Sequence, residues 1–442
     1  MADVDQKYYL AIDIGASSGR HIIGVENNGR ITLKEIYRFK NGMDEVEGEL
    51  VWDTERLFSE ILKGIALCIE KYKKIESLAI DTWGVDYALL EGDKLIPPVY
   101  AYRSSRTKEA IEEVHKRIPL DRIYELTGEQ YQPFNTVYQL YADKMSGRLD
   151  KATDFLMIPE YFNYLLTGRK VKEYTNATTG AFVNAETYEY DMEIIGKLAL
   201  PVNLFQGLHG AGEIIGDLRP ELQRMVGGNI PVKLCASHDT ACAFEAVDFD
   251  DDSVIISSGT WSLVGVKIPV AETSERSLKL NFANEGGIGY FRYLKNVMGM
   301  WIINSLSKEL KVPVAEAVEM ARKSTYRRIF DVNHESLIAP KSMKHAIESL
   351  VNERLSTEAL FNSAMHSLAS SYSKTVREIQ ETIGKPVKKI YIVGGGAKNN
   401  YLNELTEAYC GKIVVAVPIE ATAMGNIKTQ MMGEKEVESY KL

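Results

Sequence analysis

In the stretch KLCASHDTACAFEAV, residues 233–247, an apolar run stops at Ser237, His238, Asp239 and Thr240, and small and apolar residues follow. An imidazole beside a carboxylate is an unusual pair to place in a segment otherwise composed for burial. Two readings are open. Ser237, Asp239 and Thr240 are all good N-cap types for a helix that begins here. The other reading makes Asp239 a base held at the rim of a cleft.

A second kind of chemistry is suggested by turns rich in Ser, Thr and Gly. LAIDIGASSGRHIIGV (10–25) and SVIISSGTWSLVGVKIPV (253–270) share one pattern, an apolar strand, a turn of small hydroxyl residues and a second apolar strand. The repeat, about half a chain apart, is what an internal duplication would leave. Such turns let backbone N–H groups approach phosphate oxygens, and the hydroxyls add further donors. Asp13 ends the first strand beside its turn. A carboxylate facing phosphates makes sense with a divalent cation between them, so Asp13 is the candidate metal residue. A third turn, Gly394-Gly395-Gly396, precedes a helical pattern. The standard nucleotide loops are absent: Gly24–Ile31 lacks the Lys and Ser/Thr of a Walker A loop, and 394–399 lacks the third glycine of a dinucleotide fingerprint.

These residues need elements to hold them. Strands are expected over 8–14, at RHIIGVE and ITLKEIYRF, then a helix capped by Asp53 or Thr54, then a strand in ESLAIDTWGVDYALL broken at Trp83-Gly84. Residues 100–230 read as mixed and mostly helical. A long helical stretch is expected from about 297 to 383, followed by strand, glycine turn, helix, strand and a last helix of small residues. With 442 residues the chain should form two domains, divided as 1–247 and 248–442, and the halves are expected to pack around a central cleft. The fold class is α/β, with two ribonuclease-H-like domains of the actin-like ATPase type.

Bulk properties narrow the function. A net charge of -9 disfavours a nucleic-acid surface, and no apolar run is long enough to span a membrane. The N-terminus has no signal-peptide pattern. Cys68, Cys235, Cys242 and Cys410 lack metal-site spacing and read as buried free thiols of a cytoplasmic protein.

The segments AIDIGASSGR, DTWGVDYALL, AYRSSRT, EYTNATTG, ASHDTACA, SSGTWSLVG, NEGG, LKNVMGMW, IVGGGAKNNYLNELTEAYCG and EATAMGNI occur in this order from about residue 8 to 433. Together they resemble the FGGY carbohydrate kinase family, and within it the branch that acts on L-rhamnulose. The resemblance implies transfer of the ATP γ-phosphoryl to the 1-hydroxyl of that ketose in L-rhamnose degradation, with ATP and Mg²⁺ as cofactors. Asp239 matches the family's catalytic base, and His238, Thr240, Gly84 and Asn296 match sugar-binding positions. Ala16, Ser17, Ser18, Gly19 and Arg20 match the first phosphate loop, Thr260 the second, and Gly395 the adenosine-side glycine, which Gly396 and Asn399 join. Asp86 and Arg103 are added as polar sugar-facing candidates. Where the family pattern leads us to expect Gln, this chain has Asn304, one methylene shorter. The chain also stops soon after EATAMGNIKTQMM, short of the family's tail.

The expected partners are a small ketose and ATP, with no nucleic acid or membrane, in a monomer or homodimer. Competing readings are a sibling kinase for L-fuculose, L-xylulose or an autoinducer-type ketose, an actin-like ATPase that binds a protein partner, and a sugar sensor without catalysis. The last two have no use for a carboxylate at position 239.

Overall fold

The computed structural model describes residues 6–246, 252–338, 340–417 and 420–432. The expected domain boundary at 247/248 lies outside the described residues. Two compact units emerge, neither continuous in sequence: Met1–Val247 with Ile268–Arg292 and Ala421–Leu442, and Asp248–Lys267 with Tyr293–Glu420.

The first unit is built on a six-stranded sheet. β1 (Lys7–Ile14), β2 (Ser18–Asn27) and β3 (Arg30–Lys40) form an antiparallel meander, and the strand Ser77–Thr82 pairs parallel to β1 on its other side. The short strands Val232–Lys233 and Ile214–Gly216 complete that side. β1 is buried from Leu10 to Ile14, which is why it reads as a continuous apolar run. Helix α1 (Thr54–Tyr72) returns the chain across the sheet. The Asp53 carboxylate accepts from Arg56 N at 2.9 Å and caps it, as expected, while Leu57, Ile61, Ile65 and Cys68 face the core. His21 in β2 is fully buried and bonded to Ile61 O at 3.0 Å. Burial lowers its pKa to about 4, so it stays neutral.

The last helix, Ala421–Met431, belongs to this first unit although it ends the chain. It lies against the helix Asp239–Glu245, the one that carries the candidate base. The two approach so closely at Gly425 that a Cβ there would overlap the carbonyl oxygen of Cys242. On its other side Ala423 and Ile427 pack with Ala11 and Ile22 of the sheet.

The second unit repeats the strand logic of the first. Ser253–Ser258 pairs antiparallel with Trp261–Ile268 and parallel with Lys389–Val393, which pairs parallel with Ile413–Ala416. The strand Phe291–Met298 lies beside Trp261–Ile268. This matches the duplicated pattern read from the sequence.

The long helical stretch expected at about 297–383 is interrupted. It contains the end of a strand, the helices Trp301–Leu310 and Val314–Lys323, an extended segment, the helix Met343–Val351, and then one long helix, Thr357–Ile383. The extended segment is held by side chains of that long helix. Asn362 donates to Ser324 O and Tyr326 O, Ser363 donates to Arg328 O, and Ser367 Oγ accepts from Phe330 N. Backbone groups satisfied in this way need no helix of their own.

Replacing Gly425 by Ala should wedge the two helices apart. Overpacking of this kind costs about 2 kcal/mol. Urea unfolding of Gly425→Ala should show that loss, together with reduced activity because the helix bearing Asp239 is displaced.

Candidate functional site

The segment 237–240 does not use its polar side chains as a cap. His238 occupies the N-cap position and makes no side-chain cap bond. Ser237 Oγ donates instead to Glu173 Oε2 at 2.6 Å, and Thr240 Oγ1 donates to Asp239 Oδ1 at 3.1 Å. Asp239 is the first helical residue, and its side chain keeps 35% of its exposure. The capping reading is therefore overturned, because each candidate cap is spent elsewhere or turned outward. An isolated parallel bridge between Thr82 and His238 sets the Trp83–Asp86 turn next to this segment.

That turn is strained and firmly held. Val85 adopts φ 66°, a left-handed conformation that a β-branched residue rarely takes. Thr179 Oγ1 accepts from Val85 N at 3.1 Å, and Thr136 Oγ1 donates to Val85 O at 2.8 Å. A Cβ on Gly84 would lie 2.8 Å from Thr179 Oγ1, so only glycine fits. Strain that the surroundings over-determine in this way is a mark of a functional turn.

Asp86 is fully buried and takes four donors. Its Oδ2 accepts from Trp52 Nε1 at 2.7 Å, Trp83 Nε1 at 2.9 Å and Tyr102 N at 3.1 Å, and its Oδ1 accepts from Gln139 Nε2 at 3.0 Å. Burial pushes its pKa up to about 6 against the pull of those bonds. Asp86 thus anchors the turn and the Trp52 and Trp83 rings, which meet at a tilt of 37° with centroids 4.1 Å apart. Arg103 is half-buried next to this anchor, over the Tyr102 ring.

Behind Asp239 lies a chain of charge that sequence reasoning missed. His238 Nδ1 is 3.1 Å from Glu285 Oε2, and its Nε2 is 3.4 Å from Asp239 Oδ1. Arg292, with 0% side-chain exposure, holds the same Glu285 oxygen at 2.8 Å. Burial alone would raise the Glu285 carboxyl, yet Arg292 and His238 together hold it below its ordinary range. Glu129 is the counterpart. Burial first and the Glu285 charge second hold it well above that range, and its Oε2 has no partner among the described residues. Glu285 lies in the NEGG segment quoted for the family resemblance, but no local pattern there or around Arg292 pointed to His238.

The first phosphate turn lies between β1 and β2. Gly15 N donates to Ser18 O at 2.9 Å, Asn41 fastens the turn from the side, and Ala16, Ser17 and Ser18 keep some exposure. Gly19 is buried under the Phe39 ring. Arg20 pairs with Asp13 at 2.5 Å. Asp13 and Asp81 are neighbours in the parallel register. Asp81 is fully buried. Burial, then the charges of Asp13 and Asp239, hold its carboxyl well above the ordinary range. Asn426 donates to its Oδ2 at 2.6 Å, while its Oδ1 has no partner among the described residues. Oxygen donors of this kind, one of them unsatisfied, suit a hard divalent cation. Cys235 and Cys242 also lie within 4.8 Å of Asp81. Both thiols donate to carbonyls, of Ile80 and Ala236, and burial raises both, so they stay protonated and serve as packing.

Several nucleotide candidates meet at one end of the second unit's sheet. Thr260 is exposed in the turn after Ser253–Ser258, and its carbonyl accepts from Trp301 N at 3.1 Å. Met300 bonds Gly259 and starts the turn that presents Asn304, which is exposed. Gly394 and Gly396 press on Ser258, and the space around Gly395 is open. Asn399 is a cap: its side-chain oxygen accepts from Leu402 N at 3.1 Å, while its buried Nδ2 has no partner among the described residues. Asn296 stands half-buried on the strand Phe291–Met298 of this unit.

The family description "FGGY family of carbohydrate kinases" matches residues 8–244 with its N-terminal domain and residues 254–434 with its C-terminal domain. The chain belongs to this family. It is a carbohydrate kinase, and it acts with ATP on a sugar. It is 41% identical to the rhamnulokinase of Oceanobacillus iheyensis, over 98% of this chain and 94% of that one. Identity to the rhamnulokinase of Halalkalibacterium halodurans is 42%, over 98% and 95%. Among solved structures, the xylulose kinase of Lactobacillus acidophilus superposes with a TM-score of 0.81 at 15% identity, covering 98% of this chain and 91% of that one. The Plasmodium falciparum glycerol kinase with ADP gives 0.77 at 13% identity, covering 99% and 91%. These likenesses bear out the two-domain, actin-like fold class. No helix among the described residues is long and apolar enough to cross a membrane.

Two substitutions test how this FGGY kinase holds its charges. Asp86→Ala strands two buried indole N–H groups and should cost about 3 kcal/mol by urea unfolding. Glu129→Gln should act in the opposite direction. The raised Glu129 pKa means that the folded state binds more protons than the unfolded one, so stability falls as pH rises above about 4. The Gln variant should match the native protein near pH 4 and exceed it at pH 8, by on the order of 1 kcal/mol, in thermal unfolding at the two pH values.

Proposed function

We propose that this kinase transfers the γ-phosphoryl of ATP to the 1-hydroxyl of L-rhamnulose, giving L-rhamnulose 1-phosphate and ADP in L-rhamnose degradation, with Asp239 as general base. The observation that carries the chemistry is the half-exposed Asp239 carboxylate at the head of its helix, left out of any cap and backed by His238. The substrate rests on the rhamnulokinase relatives, whose identity to this chain extends over nearly its whole length.

On this reading Asp239 orients the attacking hydroxyl and takes its proton late in the transfer. His238, Thr240, Gly84 and Asn296 bind the sugar, with Arg103 as a further polar contact, and Asp86 acts by fixing the Trp83–Val85 turn. Backbone N–H groups of the Ala16–Arg20 turn and the turn at Thr260 receive phosphate, while the open space at Gly395 takes the adenosine side, with Gly396 packed on Ser258 and Asn304 as further members of that site. A hard divalent cation, Mg²⁺ in this reading, would be held by Asp13 and would supply charge neutralisation for the phosphoryl oxygens when bound. Phosphoryl transfer asks little more of a protein than this positioning and electrostatic support. The free state of all four cysteines agrees with a cytoplasmic site of action, as monomer or homodimer.

The test is coupled ADP release with MgATP and a panel of L-rhamnulose, L-fuculose, L-xylulose, L-ribulose and glycerol. Turnover should peak on L-rhamnulose and fall by about 10²–10⁴ in Asp239→Asn. A different preferred ketose moves the substrate and keeps the kinase. Sugar-independent ATPase activity, unchanged in the variant, sinks the assignment of Asp239.

A further inference from the structure

Arg292 and Glu285 are an ion pair taken out of water, and such a pair rarely adds stability over apolar residues of similar size. Its placement suggests another use. Arg292 is locked from several sides, with Nε donating to Gly286 O at 2.9 Å and Nη2 reaching Thr175 O at 3.4 Å. Glu285 Oε2 then receives both Arg292 and His238 Nδ1. Arg292 Nη1 also lies 3.3 Å from His238 Nδ1, and the nearer, charged Glu285 oxygen at 3.1 Å favours the tautomer that carries its proton on Nδ1. The His238 Nε2, with a lone pair, is left pointing at Asp239 Oδ1, 3.4 Å away.

We propose that Glu285, gripped by Arg292, positions His238 as the onward proton acceptor for Asp239. This rests on the assignment of Asp239 as base. The sugar O–H bond breaks as its oxygen bonds to the γ-phosphorus and the electron pair of the β–γ bridge leaves with ADP. The proton goes to the Asp239 carboxylate and from there to His238 Nε2, which restores the ionised base. The resulting imidazolium lies between two carboxylates, Asp239 and Glu285, so its charge is paired in a poorly solvated place. Other charged groups face it too. Burial first and the Glu285 charge second hold the Glu129 carboxyl well above its ordinary range, Arg292 opposes protonation, Glu173 is held off by Ser237, and Asp81 sits behind Asp239. Glu285 and Arg292 are thus positioning residues, while His238 handles the proton.

The experiment measures kcat and KM against pH with L-rhamnulose and MgATP for the native protein, Glu285→Gln, His238→Gln and Asp239→Asn. His238 must be neutral to accept the proton, so it sets the acid limb of kcat. Removing the Glu285 charge should lower kcat about 10–100-fold with KM for ATP unchanged, and move that limb toward lower pH. In His238→Gln the limb should vanish. If Asp239→Asn retains native turnover, the base assignment fails, and this proposal with it. If Asp239→Asn collapses while Glu285→Gln keeps kcat within twofold and an unmoved limb, only the proposal is overturned. Should Glu285→Gln fail to show cooperative unfolding, His238→Gln decides: an intact acid limb in that variant overturns the relay.

Discussion

The contact between the last helix and the helix of the candidate base is the constraint on which the first unit depends. A helix of seven residues, Asp239–Glu245, has too few internal bonds to hold its own direction. Its place is set from outside, by Gly425 lying against the Cys242 carbonyl and by the Thr82–His238 bridge. The same last helix supplies Asn426 to Asp81 and, through Gln430, a bond to Leu10 O in β1. Small residues are demanded here because two backbones must approach closely, and any side chain would separate them.

Around that helix the protein manages an excess of buried carboxylates by giving each a distinct solution. Glu285 is ionised against Arg292 and His238, Glu129 is kept protonated beside it, and Asp86 is surrounded by four uncharged donors. Glu173 bonds Thr175, Asn176 and Ser237. Fixed donors around a charge are already oriented before substrate arrives, which spares reorganisation during reaction. Asp239 differs from all of these in its exposure.

The two units apply one plan to different tasks. In each, an antiparallel pair of strands is joined by a Ser/Gly turn, and the first strand of the pair has a parallel neighbour beyond it. In the first unit the strand ends bring the carboxylates Asp13 and Asp81 together. In the second unit the corresponding turn is uncharged, with Thr260 exposed and the glycines of 394–396 close to Ser258. The same plan thus ends in a cluster of carboxylates in one copy and in an uncharged, glycine-rich turn in the other.

What the sequence determined by itself was whatever depends on local pattern. Continuous apolar runs marked the buried strands, Asp53 marked the start of α1, and the Ser/Gly turns and Gly394–Gly396 were visible because their small residues have no packing role in a regular element. The repeat of LAIDIGASSGR in SVIISSGTWS carried the duplication, and the ordered motifs carried the family. Tertiary structure alone decided the roles of charges. Asp86 looks like a ligand residue in WGVD, and only the arrival of Trp52, Tyr102 and Gln139 from elsewhere makes it an internal anchor. Asn399, read as a nucleotide candidate, also caps a helix through its Oδ1. Ser237 looks like a cap and is a partner of Glu173, 64 residues away. Glu285 and Arg292, on two neighbouring strands of mixed composition, show no purpose until they meet His238. The reason is common to all four: a polar group's state is fixed by the partners that reach it, and those partners come from distant parts of the chain.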